Sequence, residues 1–146
     1  MSDPAFPLGA EPALNGPGGL RCRRIVDLET GAVWGVEVAS RSAAGSLVER
    51  AIDAVDPIQA IVGARAIVSV DVSTRQLQRE SFVSAFAAML RAASVEPSAM
   101  MLEIVEGPRR SEHDSLVHNL TQLHELGVRL ALDDFGAGSA SLASVR

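Results

Sequence analysis

The chain has 146 residues, 47% of them hydrophobic and only 3% aromatic, with 18 acids against 13 bases. That length supports one core rather than two, and a core so poor in aromatics must be packed from Val, Leu, Ile, Ala and Met. A net charge of −5 without a basic tract or interleaved aromatics excludes a DNA or RNA surface. Cys22 is the only cysteine, which rules out an internal disulfide and a multi-cysteine metal centre and suits a reducing, cytoplasmic compartment. No apolar run approaches the roughly 20 residues of a membrane helix, and the N-terminus lacks a secretory pattern, so no membrane partner is expected.

Residues 1–20 hold four of the seven prolines (Pro4, Pro7, Pro12 and Pro17) and no usable period. They predict a disordered leader, with one folded domain over residues 21–146. Residues 24–28 and 33–39 are strand-like on either side of Glu29-Thr30-Gly31-Ala32 and predict an antiparallel hairpin. The pattern turns helical after Ser46, and Pro57 divides it into two short helices over residues 47–55 and 58–64. Residues 66–72 read as a strand. Ser73 and Thr74 can cap a helical stretch running to about residue 93, with Leu77, Phe82, Phe86 and Leu90 on one face. A strand over residues 100–105 follows, then a helix capped by Ser111, carrying Leu116, Leu120 and Leu123 on one face and ended by Gly127. Residues 128–132 form the last strand. Strands alternating with helices at this beat predict an α/β fold built from parallel βαβ units.

Each strand after the hairpin turn carries an acid near its C-terminal end: Glu37, Asp71, Glu103 and the pair Asp133-Asp134. Glu37, Asp71, Glu103 and Asp133 lie 34, 32 and 30 residues apart in turn, about one βα unit each. Strand alternation puts each acid on a face of small or polar residues, opposite a bulky apolar one: Ser69, Asp71 and Ser73 against Val68, Val70 and Val72. Strands lining a barrel have this pattern, with apolar side chains packed outward under helices and functional groups gathered at the C-terminal rim. Carboxylates gathered in one place repel unless a cation joins them, and an all-oxygen set suits a hard ion, Mg²⁺ or Mn²⁺. The competing reading is that each acid favours the positive end of the helix that follows it. Matched spacing and matched facing argue for the metal site.

Other constellations carry less. Asp134-Phe135-Gly136 lacks the companion motifs of a kinase, and Gly136-x-Gly138 is half of a dinucleotide fingerprint. His113, His118 and His124 are spaced so that they do not share a helix face, and they read as solvent-facing. Arg23-Arg24 and Arg109-Arg110 read as solvated positions. Met100-Met101 reads as core filler, and Trp34 as hairpin packing against a helix.

Four segments together resemble the EAL-domain cyclic dimeric GMP phosphodiesterases. Thr30-Gly31-x-Val33-x-Gly35-x-Glu37 is similar to the strand bearing the Glu-Ala-Leu signature. Val70-Asp71-Val72-Ser73 with Gln76-Leu77 resembles Val-Asn-Leu-Ser…Gln-Leu, and Leu102-Glu103-Ile104-Val105-Glu106 resembles Leu-Glu-Leu-Thr-Glu. The stretch from Leu126 to Gly138, with Leu132-Asp133-Asp134-Phe135-Gly136 at its heart, is similar to the family's most recognisable segment. The resemblance implies a modified β/α (TIM-like) barrel with an antiparallel first strand, of which this chain would form the N-terminal half. It implies metal-dependent hydrolysis of cyclic di-GMP to linear pGpG. Glu37, Asp71, Glu103, Asp133 and Asp134 would be ligands of Mg²⁺ or Mn²⁺, and Arg41 would contact the phosphate.

The departures from the pattern are informative. Glu-Ala-Leu has become Glu37-Val38-Ala39, and Asp71 stands where the family uses asparagine, adding negative charge opposite an anionic substrate. The stretch between Glu37 and Asp71 is short for the family. The family's later lysine, a further aspartate and the catalytic glutamate would fall beyond Arg146, since a whole barrel takes about 250 residues. The expectation is therefore a truncated domain without hydrolysis by itself, either a partial phosphodiesterase or a non-catalytic module that binds cyclic di-GMP or a protein. Its open sheet edges would favour self-association.

Overall fold

The computed structural model describes residues 14–16, 19–39, 46–105 and 113–132. Six strands form one sheet in chain order: β1 (Leu14–Asn15), β2 (Arg21–Val26), β3 (Val33–Ala39), β4 (Ile67–Ser73), β5 (Met100–Val105) and β6 (Arg129–Leu132). The β1–β2 and β2–β3 pairs are antiparallel, and every later pair is parallel. This is the α/β architecture with an antiparallel start that the sequence predicts. Order begins earlier than expected, because β1 pairs with Arg21 and Cys22 and Leu20 is buried in the core.

Asp27 closes the β2–β3 hairpin. Its Oδ1 accepts hydrogen bonds from the backbone N–H groups of Glu29 (2.9 Å) and Thr30 (2.8 Å) and from the Thr30 hydroxyl (3.0 Å). Gly31, at φ 70°, supplies the left-handed residue that lets the chain return. Those three donors hold the Asp27 carboxyl below the usual carboxylate range, the backbone N–H of Thr30 contributing most.

Between β3 and β4 lie α1 (Leu47–Asp53) and α2 (Val55–Val62). The break falls at Ala54 rather than at Pro57. Pro57 sits in the first turn of α2, where its missing N–H is one the helix could not have bonded internally. Between β4 and β5, one predicted helix is in fact two, α3 (Thr74–Leu77) and α4 (Phe82–Ala92). Ser73 starts α3 through a reciprocal capping box with Gln76. The elbow after α3 is held from a distance: the buried Asn119 amide donates to the carbonyl oxygens of Leu77 and, at 3.2 Å, Arg79. Asn119 belongs to α5 (His113–Leu126), which Gly127 ends at φ 98°. The predicted cap Ser111 lies outside the described residues.

The core fills one face of the sheet. Val68, Val70 and Val72 of β4 are each 0% exposed, packed with Phe86 and Leu90 of α4, Leu123 of α5 and Ile52 of α1. Each such side chain contributes about 1.5–3 kcal/mol by leaving water. Gly35 permits the close approach of β3 and β4, for a Cβ there would lie 2.6 Å from the Ile67 carbonyl oxygen.

One irregularity breaks the alternation. Ile25 pairs with Gly35 and Val26 with Val33, so β3 takes up an extra residue at Trp34. Trp34 consequently leaves the register of Val36 and Val38. It remains 39% exposed, beside a hollow lined by Val62 at the end of α2, and the Arg129 guanidinium stands 5.6 Å from its ring centroid. β3 and β6 are separated by two strands, about 14 Å in a flat sheet. The long side chains of Trp34 and Arg129 bridge that span.

Candidate functional site

The strand register fixes where the acids stand. Glu37 pairs with Ser69, Ser69 with Met101 and Met101 with Arg129, making one row across the sheet. Arg23 of β2, opposite Glu37, extends that row. Asp71, Glu103 and Ala131 make the next row, two residues closer to the C-terminal ends of the parallel strands. Glu37, Asp71 and Glu103 thus occupy three successive strands on one face, the face opposite the valine-rich core.

All three carboxylates are partly buried. None caps a helix: Glu37 and Glu103 lie within strands, and the cap of α3 is Ser73, two residues beyond Asp71. Glu37 faces a cation, with its Oε1 3.9 Å from the Arg23 guanidinium, whose side chain is 67% exposed. An ion pair this long and exposed contributes at most about 1 kcal/mol. Glu103 is held differently. The Ser69 hydroxyl, in a residue 0% exposed, donates to Glu103 Oε1.

Among the described residues, no three of His, Cys, Asp and Glu gather closely enough to hold a metal ion. Glu37, Asp71 and Glu103 share a face but are spread over two rows. Asp133, Asp134 and Arg41 lie outside the described residues. His118 and His124 are exposed on α5, away from the acids. The donor chemistry on the acid face is all oxygen, which fits a hard divalent cation and not a thiolate or imidazole site. Among the described residues, no helix is long and apolar enough to cross a membrane.

Two residues were passed over in the sequence. Arg23 reads there as a solvated position, although hairpin register alone places it opposite Glu37. Ser69 reads as a small residue on the acid face, and its hydrogen bond depends on β5 lying alongside β4. No local pattern reveals that.

Comparison with known proteins places this geometry. The EAL domain family matches residues 39–146, a span that begins just after Glu37 and includes Asp71, Glu103, Asp133 and Asp134. Probable cyclic di-GMP phosphodiesterase PdeA of Escherichia coli (strain K12) is 33% identical over 73 residues, covering 50% of this chain and 10% of that protein. The bifunctional diguanylate cyclase/cyclic di-GMP phosphodiesterase MucR of Pseudomonas aeruginosa is 33% identical over 75 residues, covering 51% of this chain and 11% of MucR. The chain thus spans about a tenth of the length of these relatives. The EAL domain of Mycobacterium smegmatis DcpA superposes with a TM-score of 0.73 at 27% identity, covering 85% of this chain and 56% of that one. The manganese and cyclic di-GMP complex of Klebsiella pneumoniae BlrP1 gives a TM-score of 0.68 at 19% identity, over 90% of this chain and 39% of BlrP1. With a family match across most of its length and a similar, TIM-barrel-like fold in solved relatives, this chain belongs to the EAL domain family.

Proposed function

We propose that this chain carries the metal-binding strands of a cyclic di-GMP phosphodiesterase site. The observation that carries the reading is the set of carboxylates, Glu37, Asp71 and Glu103, presented by consecutive strands on one polar face. The names of the relatives supply the substrate class, and the BlrP1 complex supports a divalent cation. Glu37, Asp71, Glu103, Asp133 and Asp134 would hold Mg²⁺ or Mn²⁺, and Arg41 would contact a phosphate. A divalent cation held there would supply Lewis-acid chemistry toward phosphodiester oxygens and water. The chain's own residues supply the frame: oxygen ligands on β3, β4 and β5, and a guanidinium at Arg23 that balances Glu37 before a cation arrives. None of the 146 residues is assigned as general base.

Titration of the purified protein with Mn²⁺, followed by cyclic di-GMP, tests this reading. Glu37→Gln and Glu103→Gln are each expected to weaken Mn²⁺ binding by at least about tenfold. Absence of Mn²⁺ binding by the unmodified protein would end it. A second reading is favoured by Asp71: its charge opposes an anionic ligand, which suits a module that holds metal, or nucleotide through metal, without turnover. Cyclic di-GMP binding with no linear pGpG formed would select that reading.

A further inference from the structure

We propose that Ser69 is a positioning residue that brings the Glu103 carboxylate onto the same row as Glu37, and so sets the distance between those two acids. This rests on the metal-site reading above. Register alone does not bring Glu37 and Glu103 together, because Glu103 stands level with Asp71 while Glu37 stands level with Ser69. The two rows are about 6.6 Å apart along the strands. Ser69 is the register partner of both Glu37 and Met101, so Glu103 is its diagonal neighbour, one row nearer the C-terminal ends. The hydroxyl of Ser69 nevertheless donates to Glu103 Oε1. Glu103 must therefore lean back along the sheet, and its carboxylate arrives beside Ser69, one strand away from Glu37.

The residue type suits that task. Ser69 is completely buried, so its hydroxyl holds Glu103 without competition from water. Its donor leaves one oxygen of Glu103 for another partner. Hydrogen-bonded outer partners of this kind orient metal ligands, and their loss commonly weakens metal affinity ten- to hundredfold, in round terms. The two anchors of the acid row thus differ: Glu37 meets an exposed, exchangeable guanidinium, while Glu103 is held by a buried neutral hydroxyl. A cation can displace the first and would keep the second.

The test pairs Ser69→Ala with Ser69→Thr and Glu103→Ala in the purified protein. Free Mn²⁺ is followed by its electron paramagnetic resonance signal, and metal-free melting is recorded alongside. Ser69→Ala is expected to weaken Mn²⁺ binding by about tenfold or more, and Ser69→Thr, which restores a hydroxyl, to recover to within about threefold. A double-mutant cycle between Ser69→Ala and Glu103→Ala in metal-free melting is expected to show coupling. Unchanged Mn²⁺ affinity in Ser69→Ala, with affinity lost in Glu37→Gln, would overturn the role of Ser69 and leave the metal site standing. Lack of Mn²⁺ binding by the unmodified protein would overturn both. Loss of affinity equal in Ala and Thr, with no coupling to Glu103, would also overturn it.

Discussion

The two faces of β4 divide stability from chemistry within seven residues. Val68, Val70 and Val72 are sealed under the helices, while Ser69, Asp71 and Ser73 point the other way and make hydrogen bonds or charges available. A polar group placed on the first face would be costly unless it found a hydrogen-bond partner there. The second keeps its polar groups paired, Ser69 with Glu103 and Ser73 with Gln76. A strand with helices on one side only can serve both ends because successive side chains alternate.

The sharpest way to break this division is at the helix face. Phe86 is completely buried and stacks on Phe82, with ring centroids 6.1 Å apart. Phe86→Ala is expected to cost about 3–5 kcal/mol in denaturant unfolding, chiefly through the cavity it leaves. Gly35→Ala comes next. The added methyl meets a backbone carbonyl that can retreat only by shifting β4, and a loss of about 1–3 kcal/mol is expected. On the acid face, Asp71→Asn should change unfolding free energy by no more than about 0.5 kcal/mol. The same substitution should tighten binding of cyclic di-GMP, measured calorimetrically in Mn²⁺, by removing one like charge. A destabilisation as large as that of Gly35→Ala would show that the acid face also holds the fold.

The smallest effect concerns the hairpin turn. The Asp27 carboxyl is held below its ordinary value by the N–H and hydroxyl of Thr30 and the N–H of Glu29. Its contribution is therefore complete above the unfolded carboxylate value of about 3.9 and is lost as pH falls through the lower folded value. Melting curves across that acid window should show Asp27→Asn with a shallower decline than the unmodified protein. Parallel declines would mean that the turn does not depend on the ionised oxygen.

Much of this arrangement was legible before any coordinates. Period-two alternation located β3 to β6, and acid spacing marked their C-terminal ends, because both signals are local and each strand repeats them. The helix boundaries were less visible. Pro57 reads as a breaker, yet it sits comfortably in a first turn, and the true break at Ala54 has no special residue to mark it. The elbow between α3 and α4 depends on Asn119, 42 residues after Leu77, whose amide satisfies carbonyls that an unbroken helix would have used itself. The bulge at Trp34 likewise moved one side chain out of the face its position predicts. Of the candidate ligands, Glu37, Asp71 and Glu103 fall on one face, while Asp133, Asp134 and Arg41 lie outside the described residues. The Ser69 hydrogen bond needed the β4–β5 pairing to exist before it could be read.

The bulge at Trp34 also equips the protein with an optical gauge. The sequence contains one tryptophan and no tyrosine, so indole emission comes from a single place. That indole belongs to the first parallel strand and stands against a guanidinium at the start of the last one. Separation of the two would expose the ring further to water, shifting its emission to longer wavelength. Arg129→Met should mimic that separation in part at one point while leaving the helix-covered face intact. The emission maximum of this one side chain would therefore report on the contact between β3 and β6 in solution, without any label added.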